Sequence, residues 1–186
     1  MVGDRPGRVG VVRVALLNGP VAFACEISHL QRKTAAVVAC GRHESGKLLV
    51  DLSPYYGERR NAVAELAALY AKHDPVAVVI DPRSNAGTLL KPLRDAGVWV
   101  TEPGPQDVAV AHGEFLDLVA DKQVIHLSQP PLSAAVKAAM QRNLAGAKAL
   151  ERAVETVDQA PLVAAELACW GFRRWEELSQ PSVFVV

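Results

Sequence analysis

Val76-Ala-Val-Val-Ile-Asp81-Pro-Arg-Ser-Asn-Ala-Gly87 decides how this chain folds. Five apolar residues, four of them β-branched, run straight into an acid, then a proline, then small polar residues that open a helix. A continuous apolar run of this length is the pattern of a strand covered on both faces, typically a central strand of an α/β sheet. Asp81 is then expected at the carboxyl end of a buried strand, where open α/β sheets place their ligands. Pro82 cannot donate to a sheet ladder and ends the strand. An Asp-Pro pair is also an ordinary turn cap, so the meaning of Asp81 depends on which other acids reach it.

Working upstream, Val21-Ala-Phe-Ala-Cys-Glu26-Ile27 reads as the first strand. Glu26 inside such a run needs a partner, because an unpaired buried carboxylate costs several kcal/mol. The partner is either a core Arg or Lys, or a metal ion. Residues 34–40 and 48–52 read as further strands, which with short connections make an antiparallel three-strand meander. Gly41-Arg-His-Glu-Ser-Gly46-Lys47-Leu48 nearly spells a phosphate-binding loop. Leu48 lacks the hydroxyl that motif needs, and a strand pattern follows where a helix should, so the loop is a hairpin turn.

Residues 58–73 have helical periodicity, with Ala62, Val63, Leu66, Leu69, Tyr70 and His73 in one arc and Glu65 on a solvated flank. A short helix over 85–96 closes at Gly97, with Pro92 suggesting a kink. A β-rich run over 98–101 leads to Glu102, a weaker candidate acid. A second amphipathic helix spans 106–121, with Val108, Ala111, Phe115, Leu118 and Val119 toward the core. A short strand covers 124–127, where His126 reads as a hydrogen-bonded structural residue. Pro130 and Pro131 open a helix over 132–142. Residues 148–156 are good helix formers with no clear break. Asp158 is placed as the N-cap of a last helix, Pro161 sits in its first turn, and Gly171 closes it. Residues 172–178 continue as a further turn. The resulting class is an α/β mixed sheet, the meander extended by parallel strands, with helices on both faces.

The chain has 186 residues, half of them hydrophobic, which suits one domain with a sizeable core. Residues 1–20 read as a lead-in or linker remnant with a short strand at 10–17, 21–178 as the domain, and 179–186 as an apolar tail. Twenty basic residues balance twenty acidic ones, so no global field draws the chain to nucleic acid. Cys25, Cys40 and Cys169 are an odd number of widely spaced cysteines in apolar runs, read as buried thiols of a reducing compartment. With no apolar run long enough for a membrane span, the expected location is cytoplasmic.

In such a sheet the first strand and the strand ending at Asp81 can lie side by side, bringing Glu26 and Asp81 together, and Asp158 can close the set if its helix crosses the sheet end. Converging carboxylates repel and raise one another's pKa values. Mg²⁺ or Mn²⁺ relieves that repulsion. Two such ions ~3.5–4 Å apart would activate a water for phosphodiester cleavage. The other reading is three unrelated acids: two turn caps, and Glu26 in a core ion pair.

The chain resembles the nuclease domain of tailed-phage terminase large subunits, of the RNase H-like fold, most clearly those of actinobacterial phages and prophages. The resemblance runs from about Phe23 to Phe172. It is carried by Asp158-Gln-Ala-Pro-Leu-Val-Ala-Ala-Glu-Leu-Ala-Cys-Trp-Gly171, by Val79-Ile-Asp81-Pro-Arg-Ser, and by Phe23-Ala-Cys-Glu26-Ile-Ser. Gly97-Val-Trp-Val-Thr-Glu102 and His126-Leu-Ser-Gln-Pro-Pro-Leu132 support it. It implies metal ligands at Glu26, Asp81 and Asp158, a pair of Mg²⁺ or Mn²⁺ ions, and a metal-bound water as nucleophile. It also implies double-stranded DNA as substrate, with an ATPase domain, a small terminase subunit and a portal protein as partners, and host cytoplasm as location. Arg83 and Lys33 are then candidate phosphate contacts. The sequence departs from the family in three ways. Glu26 stands where Asp is usual, Lys148-Ala-Leu-Glu-Arg-Ala replaces a segment that usually carries tryptophan and arginine, and no ATPase motif is present. The departure at Glu26 and the neutral charge favour the alternative, a catalytically silent RNase H-like module binding DNA or a portal-type partner. A Holliday-junction resolvase or transposase-like domain would share the same site chemistry.

Overall fold

In a computed structural model of the protein, the described residues are 19–30, 32–53 and 57–179. The strand expected at 10–17 and the tail at 181–186 lie outside them. The three strands of the meander form where alternation and short turns place them: β1 (Val21–Ile27), β2 (Thr34–Arg42) and β3 (Leu48–Leu52). β1 pairs antiparallel with β2, and β2 with β3. The near-phosphate-loop sequence is the β2–β3 turn, closed by the Gly46 amide donating to His43 O and the His43 amide to Lys47 O. A two-residue strand, β4 (Gly57–Glu58), pairs with the start of β2. A short 3-10 turn then leads into helix α1 (Ala62–His73).

β5 (Ala77–Val79) adds parallel to β1, and β6 (Val124–His126) adds parallel to β3. The sheet order is β5-β1-β2-β3-β6, with β4 beside β2. β5 therefore ends this order and is not central as expected. Among the described residues, its outer side meets the 98–101 run through a parallel bridge between Val79 and Thr101. Val78, Val79 and Ile80 are nevertheless buried, because helices cover both faces. That is why the apolar run misstates the strand's position: it reports burial of faces, not neighbours in the sheet.

A 3-10 turn and α2 (Leu90–Asp95) make up the short helix ending at Gly97. α1 and α2 pack on one face, against Phe23, Cys25, Ile27, Val37, Val78 and Ile80. The other face carries α5 (Ala160–Ser179), with α3 (Pro105–Ala120) and α4 (Pro130–Lys137) against it. Val119 is an exception to the expected core arc and is half exposed.

Three further expectations are corrected. The helix expected over 132–142 stops at Lys137, and residues 141–150 form a hairpin of β7 (Gln141–Leu144) and β8 (Ala147–Leu150). Ala145 and Gly146 turn it with φ of 51° and 83°, the paired left-handed geometry of a tight hairpin. Gly171 does not close α5, which runs on to Ser179. A Cβ at Gly171 would meet Val79 Cγ2 at 2.5 Å, so this glycine lets helix and sheet approach closely. Glu65 is not a solvated flank: it is partly buried and accepts a hydrogen bond from the Ser53 hydroxyl.

Candidate active site

The register of the two parallel strands builds the site. β1 and β5 pair Ala22 with Ala77, Phe23 with Val78 and Ala24 with Val79. Two residues beyond the last pair on each strand stand Glu26 and Asp81. Strand alternation carries both toward the α5 face, which Ala22, Ala24 and Val79 already line. Glu26 is 1% exposed and Asp81 3% exposed, so the two acids meet in the interior at the carboxyl end of the sheet.

A cation from the same face lies between them. Arg152, in the connection between β8 and α5, donates from Nη2 to Asp81 Oδ2 at 2.7 Å. Its Nε lies 3.7 Å from Glu26 Oε2, an ion pair but too long for a hydrogen bond. Glu26 Oε1 accepts from the Ile27 amide at 2.9 Å. Oε2 is buried with no hydrogen-bond partner among the described residues. Burial pushes the Glu26 carboxyl up to about 7, against the pull of Arg152, the Ile27 amide and Ser84, while Asp81 adds to the rise. Asp81 Oδ1 accepts from the Arg83 amide at 2.9 Å, the local turn that Asp-Pro-Arg sets up.

Asp158 stands at the same end of the sheet without joining the pair. Its Oδ2 accepts from the Thr34 hydroxyl at 3.2 Å and its Oδ1 from the Ala160 amide at 3.0 Å. It therefore caps α5 from one position earlier than expected, as the helix begins at Ala160. Gln159 beside it is 1% exposed, and neither side-chain polar atom has a partner among the described residues. His29, on the turn after β1, lies within the fields of Arg152 and Asp158, and burial lowers its pKa.

The remaining candidates separate cleanly. Arg83 reaches Asp81 and donates to Pro103 O. Lys33 is exposed and, with Thr34, Arg59 and Arg60, lines a shallow hollow of about 440 Å³. Glu102 pairs with Arg94. His126 is exposed, its Nδ1 accepting from the Ser128 amide, rather than a core residue. Sequence reading missed Arg152, whose only trace was a single arginine in the segment before the last acid. It also missed His112 and Glu166, a buried pair 3.0 Å apart joining α3 to α5. Both sit on helical periodicity and were absorbed into it.

Among the described residues no three of His, Cys, Asp and Glu cluster as metal ligands. The donor set at Glu26 and Asp81 nevertheless fits one hard divalent cation: two converging carboxylates, one oxygen of which is buried and without a hydrogen bond. Arg152 already supplies a positive charge at that point. Asp158 is held by the Thr34 hydroxyl and the Ala160 amide.

No protein-family model matches the chain, and no curated protein matches it in sequence. Solved structures do. The large terminase of bacteriophage HK97 superposes with a TM-score of 0.66 at 16% identity, over 84% of this chain and 40% of that one. The large terminase nuclease of a thermophilic phage gives 0.60 at 14% identity, over 82% of each chain. The nuclease domain of the large terminase subunit of bacterial virus Sf6 gives 0.57 at 13% identity, covering 83% of this chain and 89% of that one. Structures of a variant of the Sf6 protein include one with calcium and one with manganese and beta-thujaplicinol. At these identities the likeness shows the fold alone, an RNase H-like mixed sheet. The chain spans 40% of the length of the HK97 protein.

Proposed function

We propose that this chain is a divalent-cation-dependent DNA endonuclease of the terminase large-subunit kind, cutting concatemeric phage DNA during genome packaging. One observation carries the reading: on an RNase H-like sheet, Glu26 and Asp81 arrive from adjacent parallel strands at one buried cation position. A relative of this fold has been seen with manganese, which supports Mg²⁺ or Mn²⁺, expected as a pair, as the cofactor.

Glu26 and Asp81 would hold the metal, with Asp158 as the third ligand. When bound, such ions supply an activated water and stabilise the leaving oxygen of the cleaved phosphodiester. Around them the chain's own residues prepare the site. The Ile27 and Arg83 amides fix one oxygen of each acid, which leaves Oε2 and Oδ2 turned toward the cation. Lys33, Arg59 and Arg60 rim a hollow that begins at Thr34, the partner of Asp158, a suitable footing for a phosphate backbone. Double-stranded DNA is the substrate in this reading. An ATPase domain, the small terminase subunit and the portal are its partners.

Arg152 favours a second reading, a catalytically silent module that binds DNA or a portal-type partner, because a guanidinium already neutralises the acid pair. Nicking of supercoiled plasmid with Mn²⁺ decides between them. The nuclease reading expects cleavage by the wild type and a loss of about a hundredfold or more in Asp81→Asn, the scale of losing a metal-organising group. No cleavage by either protein favours the silent module. Equal cleavage by both contradicts the assigned site.

A further inference from the structure

We propose that Arg152 is a displaceable internal cation: it fills the position between Glu26 and Asp81 that a divalent metal ion takes, so metal binding requires the connection between β8 and α5 to withdraw it. The inference rests on the acid pair being the metal site.

Three observations carry it. First, Arg152 and a metal compete for the same atoms. Glu26 Oε1 and Asp81 Oδ1 are held by the Ile27 and Arg83 amides. Only Oε2 and Oδ2 face the cation, and those are the oxygens nearest Arg152, at 3.7 and 2.7 Å. A hard ion demands these oxygens directly, so it competes with the guanidinium for them.

Second, Arg152 is an imperfect partner. A permanent buried ion pair is stabilising only when its hydrogen bonds are complete. Here Glu26 Oε2 is left without one. The carboxylate pair is thus better matched to a spherical ion than to this guanidinium.

Third, Arg152 can leave. It is 9% exposed, yet it sits on a connection with neither helix nor strand, and its neighbours Ala153, Glu155 and Thr156 are exposed. It belongs to no strand of the main sheet. A metal that binds only the withdrawn state has its apparent affinity reduced by the fraction of molecules in that state. Arg152 therefore sets how much Mg²⁺ or Mn²⁺ the protein needs.

The test is calorimetric titration of Mn²⁺ into the DNA-free chain, comparing wild type, Arg152→Met, Arg83→Met and Asp81→Asn. Arg83 also lies 3.7 Å from Asp81 but is half exposed, so its variant serves as the control for removing a nearby charge. The expected result is about tenfold or tighter binding in Arg152→Met, a smaller change in Arg83→Met, and no binding in Asp81→Asn. Equal gains in the two arginine variants, or none in Arg152→Met while Asp81→Asn loses binding, overturn the role of Arg152 and leave the acid pair as metal ligands. No binding by any of the four proteins overturns both. Should Arg152→Met not fold, hydrogen exchange on the wild type gives the answer: Mn²⁺ should speed exchange across residues 151–159. Unchanged or slower exchange there at saturating Mn²⁺ overturns the displacement.

Discussion

Gly171 shows how a single side chain, or its absence, holds the site in place. Its bare Cα lets α5 settle on β5, and a methyl there would strike Val79 Cγ2 at 2.5 Å. Val79 stands two residues before Asp81, so a displaced helix also shifts the acid. Gly171→Ala should lower stability by about 1–3 kcal/mol, the usual cost of overpacking a dense core, as urea denaturation would show. A neutral or stabilising result would mean that the helix rides freely on the sheet. In the sequence this glycine reads as a helix stop, because glycine commonly ends helices and only the fold reveals the strand beneath it. Arg152 was illegible for a related reason. Its partner Asp81 is 71 positions away, and a lone arginine among helix formers carries no trace of that meeting. Glu26 and Asp81, by contrast, announced themselves as acids inside apolar runs. The sequence correctly required a partner for Glu26 but could not choose between a core cation and a metal.

Helices and strands differ in how openly they were written. The meander was readable because apolar residues fill the strands and polar, glycine-containing turns separate them. The β7–β8 hairpin was not, since Lys148, Ala149, Leu150 and Glu151 favour helix and only the Ala145–Gly146 turn reverses that preference. Gln129 ties the start of α4 to the sheet: its Oε1 accepts from the Leu52 amide at 2.9 Å and its Nε2 donates to Asp51 at 3.0 Å. Gln129→Ala leaves the Leu52 amide short of its partner and should cost about 1–3 kcal/mol, measurable in the same denaturation experiment. The α3–α5 contact has its own signature. Burial raises the pKa of Glu166, with His112 and Arg152 opposing the rise. Over the interval between the ordinary glutamate value and that raised one, the folded chain holds a proton the unfolded chain has released. Its contribution to stability is therefore complete below the ordinary value and lost as pH rises through the folded one. Glu166→Gln should flatten this decline in pH-dependent urea midpoints. Parallel curves for the two proteins would show that the proton is not shared unequally between folded and unfolded chains.

For the molecule as a whole, equal numbers of acidic and basic residues mean that any grip on DNA comes from local placement, not net charge. The three cysteines are buried, with Cys40 Sγ 3.4 Å from Cys169 Sγ across the β2–α5 contact. The folded protein should therefore resist a thiol reagent until denatured, whereas rapid labelling would indicate a looser core. The proposed function turns on one claim, that Glu26 and Asp81 form a metal seat at the carboxyl end of β1 and β5. Anomalous diffraction from crystals grown with Mn²⁺ tests it most directly. The prediction is a peak between the two carboxylates with the Arg152 guanidinium moved aside. Manganese bound elsewhere, with Arg152 still seated between the acids, would contradict it.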